Sequence, residues 1–159
     1  LINDGGPTNV GIESTVVDVT AGVPRILRPG MVARDAIARV AGAAEAASAL
    51  DGRELPRSPG MIDKHYAPRA RVRLVAAATL TESLATERRD HARVGAITFD
   101  PTDADVSLVL PREPGGYARG LYAALHELDE RHCDVVLIER PPAIAEWAAI
   151  LDRLERAAR

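Results

Sequence analysis

The chain has 159 residues, 47% of them apolar and 27% charged, with aromatics at only 3%, a balance that fits a globular chain with an aliphatic core of Ala, Val, Leu and Ile. Twenty basic residues against 23 acidic ones give a net charge of −3, which argues against a dedicated nucleic-acid binder. No apolar run approaches the ~20 residues of a membrane helix, and the single cysteine, Cys133, excludes an internal disulfide.

The chain starts at Leu1 and runs straight into a structured-looking segment, with no basic stretch followed by an apolar one. Together with the lone cysteine, this points to the cytoplasm. Asp4-Gly5-Gly6-Pro7 is a turn. Residues 14–19 (STVVDV) read as a strand, 20–24 as a tight turn and 25–28 (RILR) as the returning strand. A helix is expected over 33–49, with Ile37, Val40 and Ala41 on one face and Asp35 in the first turn, where the helix dipole favours it. Residues 51–70 (DGRELPRSPGMIDKHYAPRA) break every periodic pattern with three prolines and two glycines. So long a loop belongs to a linker or a functional segment.

From residue 71 the type alternates. Strands are expected at 72–77, 94–99, 107–110 and 133–139. Helices are expected at 80–89, at 117–132 with Leu121, Leu125 and Leu128 on one face, and at 145–158 with Trp147, Ile150, Leu151 and Leu154 together. Strands separated by helices imply a mostly parallel sheet covered by helices, a small Rossmann-like α/β domain. The dinucleotide fingerprint G-x-G-x-x-G is absent from it.

Three places carry candidate chemistry. Ser14 stands where a loop enters the first strand; its hydroxyl can meet a carboxylate, ammonium or hydroxyl group, or it is simply a strand start. The spacing G-x-S-x-G of a serine nucleophile is absent. Arg28 closes the hairpin and either presents its planar fork to a phosphate or faces solvent. Ser58-Pro59-Gly60-Met61 and His65-Tyr66-Ala67-Pro68 bracket Lys64, the only lysine of the chain. These residues either lie over a nucleotide or form a rigid spacer. No metal-ligand spacing is present. His126 and His132 read as surface residues, and Cys133 as a buried, inert thiol.

In this order, GIESTVVD, ILRPG and SPGM…HYAP resemble the threonylcarbamoyl-AMP synthases of the Sua5/YrdC family, in the Sua5 branch that adds a C-terminal domain to the YrdC-like catalytic domain. The resemblance implies that residues 1–50 are the C-terminal end of the YrdC-like α/β domain. It implies that 51–70 are an interdomain linker or lid, and 71–159 the Rossmann-like Sua5 domain. It further implies an incomplete chain, since the family's lysine- and arginine-containing ATP motif and its Ser-Ala-Asn-type segment have no counterpart here.

Such enzymes combine L-threonine, bicarbonate and ATP, with Mg2+, into threonylcarbamoyl-adenylate and pyrophosphate. A threonylcarbamoyl-transferase machinery then modifies tRNA. By the resemblance, Ser14 contacts threonine, Arg28, His65 and Tyr66 contact ATP, and Ser58, Pro59, Gly60, Met61 and Lys64 belong to the lid. The other reading is a non-catalytic regulatory module that binds a nucleotide or a partner protein. Direct binding of tRNA would rest on the abundance of arginine; the negative charge and scarce aromatics count against it.

Overall fold

The structure, a computed structural model, describes residues 3, 4, 6, 8–20, 22–46, 68–90 and 92–158. The expected linker residues Ser58, Pro59, Gly60, Met61, Lys64, His65 and Tyr66 lie outside the described residues.

The N-terminal region is a short three-stranded sheet. Strands β1 (Val16–Asp18) and β2 (Arg25–Arg28) pair antiparallel, as the turn between them dictates. Their register slips between Val16 and Val17, so that Val16 faces Arg28 while Val17 faces Ile26. Such a bulge bends a strand and re-aims its side chains.

The helix expected over 33–49 is corrected to α1, Arg34–Ala41. Gly42 stops it: at φ 80° it adopts the left-handed conformation that closes helix ends. The chain then extends, and β3 (Glu45–Ala46) joins the sheet parallel to β2. The apolar face expected for this helix is not buried either; Val40 is 91% exposed.

The C-terminal region is a four-stranded, wholly parallel sheet. In chain order its elements are β4 (Arg71–Val75), α2 (Leu80–Arg89), β5 (Val94–Thr98), β6 (Val106–Val109), α3 (Pro114–Glu130), β7 (Val135–Glu139) and α4 (Ala148–Ala157). The spatial order is β4-β7-β5-β6. Helix α3 starts earlier than the expected 117 because Pro114 suits a first helical position. Cys133 is buried, but it lies just ahead of β7 rather than in it. Residues 145–147 form a 3-10 turn that leads into α4.

The central strands β5 and β7 are apolar and buried on both faces, as a covered parallel sheet requires. On one face α2 packs Leu80 and Leu84 against Val75, Val94, Val135 and Leu137. On the other, α3 and α4 bring Leu121, Leu128, Ile150 and Leu154 onto Val72, Ile97, Val136 and Ile138. Carboxylates hold the amide ends of the strands: Asp134 accepts from the Arg93 amide at 2.8 Å and Asp105 from the Val94 amide at 2.7 Å. Buried Glu87 on α2 receives the guanidinium groups of Arg71 and Arg73 from β4.

At the carboxyl edge of this sheet, where α/β folds bind ligands, Phe99, Tyr117 and Trp147 form a closed aromatic cluster with ring centroids 5.2–5.7 Å apart. Burial pushes the Tyr117 phenol well above its ordinary value, with nearby Glu139 adding to the shift. Among the described residues no helix is long and apolar enough to cross a membrane.

Candidate functional site

Ser14 and Arg28 stand 14 residues apart in sequence, yet the hairpin brings them into contact. The Arg28 guanidinium donates from Nε and Nη2 to the Ser14 carbonyl at 3.2 and 3.1 Å. Arg28 is 7% exposed, so it is a fixed group rather than a solvent-facing one. Ser14 itself is exposed. An exposed serine hydroxyl, with a guanidinium bonded to the carbonyl of the same residue, sets a polar group and a fixed cation within one residue of each other.

The local backbone explains how they meet. Gly30 lies against the Ser14–Thr15 peptide; a Cβ there would stand 2.2 Å from the Thr15 nitrogen and 2.6 Å from the Ser14 carbonyl carbon. Only glycine permits that approach. The Thr15 hydroxyl donates to the Val32 carbonyl at 2.9 Å and ties the same two segments again.

Five residues not singled out in the sequence complete the surroundings. Glu13, immediately before Ser14, accepts from the Tyr122 hydroxyl of α3 at 2.8 Å and from Arg153 Nε of α4 at 2.5 Å. Arg153 also donates from Nη2 to the Pro29 carbonyl, immediately after Arg28, at 3.1 Å. Asp152 receives the third nitrogen of the same guanidinium and is itself held by Arg156 at 3.0 and 3.1 Å.

Burial works to raise the Glu13 pKa, but the hydrogen bonds from Arg153 and Tyr122 outweigh it and hold the carboxyl below its usual value. The Tyr122 phenol is pushed up by burial first and by its bond to Glu13 second. One clue to Arg153 was available in the sequence. It lies three residues after Ile150 and directly before Leu154, inside the apolar stripe of α4, where a charge is out of place without a partner.

The remaining expected site residues, His65, Tyr66, Lys64, Ser58, Pro59, Gly60 and Met61, fall outside the described residues. His126 and His132 are exposed, as expected; His126 faces Glu130 one helical turn away. Among the described residues no three His, Cys, Asp or Glu side chains group so as to hold a metal ion.

Residues 32–159 match the family described as threonylcarbamoyl-AMP synthase, C-terminal domain. The threonylcarbamoyl-AMP synthase of Pyrococcus abyssi is 34% identical over 164 residues, which cover 98% of this chain and 48% of that protein. The Bacillus subtilis protein of the same name is 33% identical, covering 99% of this chain and 48% of the relative. The chain therefore spans about half the length of these relatives.

A crystal structure of P. abyssi Sua5 complexed with L-threonine superimposes with a TM-score of 0.87 at 33% identity, over 98% of this chain and 48% of that one. A second P. abyssi Sua5 structure, with an adjacent His-Tyr pair replaced by alanine, gives 0.85 at 32% identity over 98% and 47%. These matches extend over both the hairpin and the parallel sheet, and the chain belongs to the family of threonylcarbamoyl-AMP synthases in its C-terminal, Sua5-type part.

Proposed function

We propose that this chain works as the C-terminal part of a threonylcarbamoyl-AMP synthase, a nucleotidyltransferase that converts L-threonine, bicarbonate and ATP into threonylcarbamoyl-adenylate and pyrophosphate. The observation that carries the reading is the contact of Arg28 with Ser14. Ser14 meets threonine through its exposed hydroxyl, and the threonine held by the P. abyssi relative supports this. Arg28 meets the ATP phosphates, where a buried guanidinium offsets negative charge that water would otherwise screen.

The domain division goes with the same reading: 1–50 to the catalytic domain, 51–70 to the linker and 71–159 to the Sua5 domain. Within the linker, His65 and Tyr66 lie nearest the nucleotide, and Ser58, Pro59, Gly60, Met61 and Lys64 form the rest of a lid. The His-Tyr pair replaced in a P. abyssi structure supports interest in that pair. The adenylate is a mixed anhydride prone to hydrolysis, so a cover that excludes water protects it. Mg2+ accompanies the ATP phosphates in this reading, and no step is assigned to it through residues of this chain.

The product leaves for a threonylcarbamoyl-transferase machinery that acts on tRNA in the cytoplasm.

The test is adenylate formation from ATP, threonine and bicarbonate by the enzyme that contains this chain. Ser14→Ala raises the KM for threonine about tenfold, the worth of one hydrogen bond to a charged group. Arg28→Ala lowers kcat/KM for ATP by about 10²-fold. Undiminished synthesis by Arg28→Ala overturns its role. Nucleotide affinity without turnover in the unmodified enzyme would instead favour the non-catalytic module.

A further inference from the structure

Arg153 belongs to α4, 124 residues along the chain from Pro29 and 140 from Glu13, yet one guanidinium reaches both. Its side chain is 6% exposed and that of Glu13 25%. Glu13 precedes Ser14 and Pro29 follows Arg28. The same arginine thus holds the outer neighbour of each residue that the proposed function assigns to a substrate.

We propose that Arg153 is a positioning residue that sets the placement of Ser14 relative to Arg28 through their chain neighbours Glu13 and Pro29. The inference rests on the assignment of Ser14 and Arg28 to threonine and ATP.

Three features make the arrangement more than an ion pair. First, the guanidinium is planar, so the angle between its bond to Glu13 and its bond to Pro29 is fixed by covalent geometry. An ammonium has no such fork. Second, the fork is itself locked: Asp152 takes Nη1, and Arg156 holds Asp152 through two bonds from the next turn of α4. Third, the two clamped segments have no slack. Gly30 lies on the Ser14–Thr15 peptide, and a Cβ at Gly11 would stand 2.3 Å from the Arg119 Cα of α3. Residues 11–15 are therefore confined between α3 and the 28–30 strand end, with Arg153 joining the two ends of the gap. A displacement of either clamp moves Ser14 against Arg28, and misplacements of about 1 Å are enough to cost large factors in catalysis.

The experiment compares the unmodified enzyme containing this chain with Arg153→Lys, Arg153→Met and Glu13→Gln. It uses hydrogen exchange resolved by segment and the KM values for threonine and ATP. Lysine keeps a cation for Glu13 but cannot also reach Pro29. Arg153→Lys is therefore expected to speed exchange at 26–30 and raise the KM for ATP about tenfold, while 12–18 and the KM for threonine change less than about threefold. Arg153→Met loosens both segments and raises both KM values. Glu13→Gln loosens mainly 12–18 and raises mainly the KM for threonine. In every variant, exchange in β5 and β7 stays as in the unmodified protein.

Unchanged exchange at both segments in Arg153→Lys and Arg153→Met overturns the inference. So does an equal loss of protection in β5 and β7, which would make Arg153 a general stabiliser. If Arg153→Met does not fold, the Lys and Gln variants decide by their opposite asymmetry, and equal effects on both substrates overturn the inference. If the unmodified enzyme makes no adenylate, the proposed function falls, and the exchange pattern alone decides whether Arg153 places these segments.

Discussion

The two regions of the molecule are held by different physics. In the parallel sheet, β5 and β7 are buried along nearly their whole length, and helices cover both faces with aliphatic side chains. Burial of this kind is strong and non-directional. Around the hairpin, Ile12 is the one fully buried apolar residue among the described residues up to 46, and half-buried Met31 packs against the same core. There the chain is held by the Glu13–Arg153–Tyr122 bonds, by Arg28 on Ser14 and by two glycine contacts. Hydrogen bonds and steric stops contribute less free energy than a core, but they fix direction. A region that must place two side chains against a ligand gains more from direction than from burial.

Mutations can pull the two kinds of anchoring apart. The largest effect belongs to the core. Leu128→Ala removes a fully buried side chain from α3 and is expected to cost about 3 kcal/mol in urea unfolding. A loss under about 1 kcal/mol would mean that the sheet does not depend on that packing. Next comes Gly11→Ala. The residue has φ 76° and backs onto the α3 backbone, so the substitution costs about 1–3 kcal/mol. Hydrogen exchange should show the loss within 11–30 and leave β5 and β7 protected; uniform loss would contradict the separation of the two regions.

The smallest effect comes from acid. Glu13 titrates below its ordinary 4.5 in the folded chain. Its contribution is therefore present above that value and is lost as pH falls through the lowered folded value. The groups facing it are Arg153 and Tyr122, with Asp152 on the far side of the guanidinium. As pH falls below the ordinary carboxylate range, exchange at 12–18 should rise before that of β7 does. Simultaneous release of both segments would assign acid sensitivity to the whole fold instead.

Much of the parallel sheet was legible because its signals are local. Continuous apolar runs such as VVLIE announce buried strands, and the Leu121, Leu125 and Leu128 spacing marks the inner face of α3. The region around α1 was misread for a local reason as well. Alanine-rich sequence after Arg34 carries high helix propensity, but Gly42 ends the helix and the next residues pair with β2. A two-residue strand beside a distant partner leaves no periodic trace.

The surroundings of Ser14 and Arg28 were the hardest part to read. Their own positions follow from the hairpin turn. Glu13, Tyr122 and Arg153 are scattered over 140 positions and meet only after both regions have folded. A lone arginine in the apolar stripe of α4 shows that some buried partner exists, but not which one.

The contact at Gly11 also has a mechanical meaning. Main chain rests on main chain there, with no side chain between that could swing aside. The segment that leads into the hairpin cannot sink toward α3 without a clash of backbone on backbone. The joint is an end-stop, rigid in that direction. That stop sets the depth at which the hairpin sits.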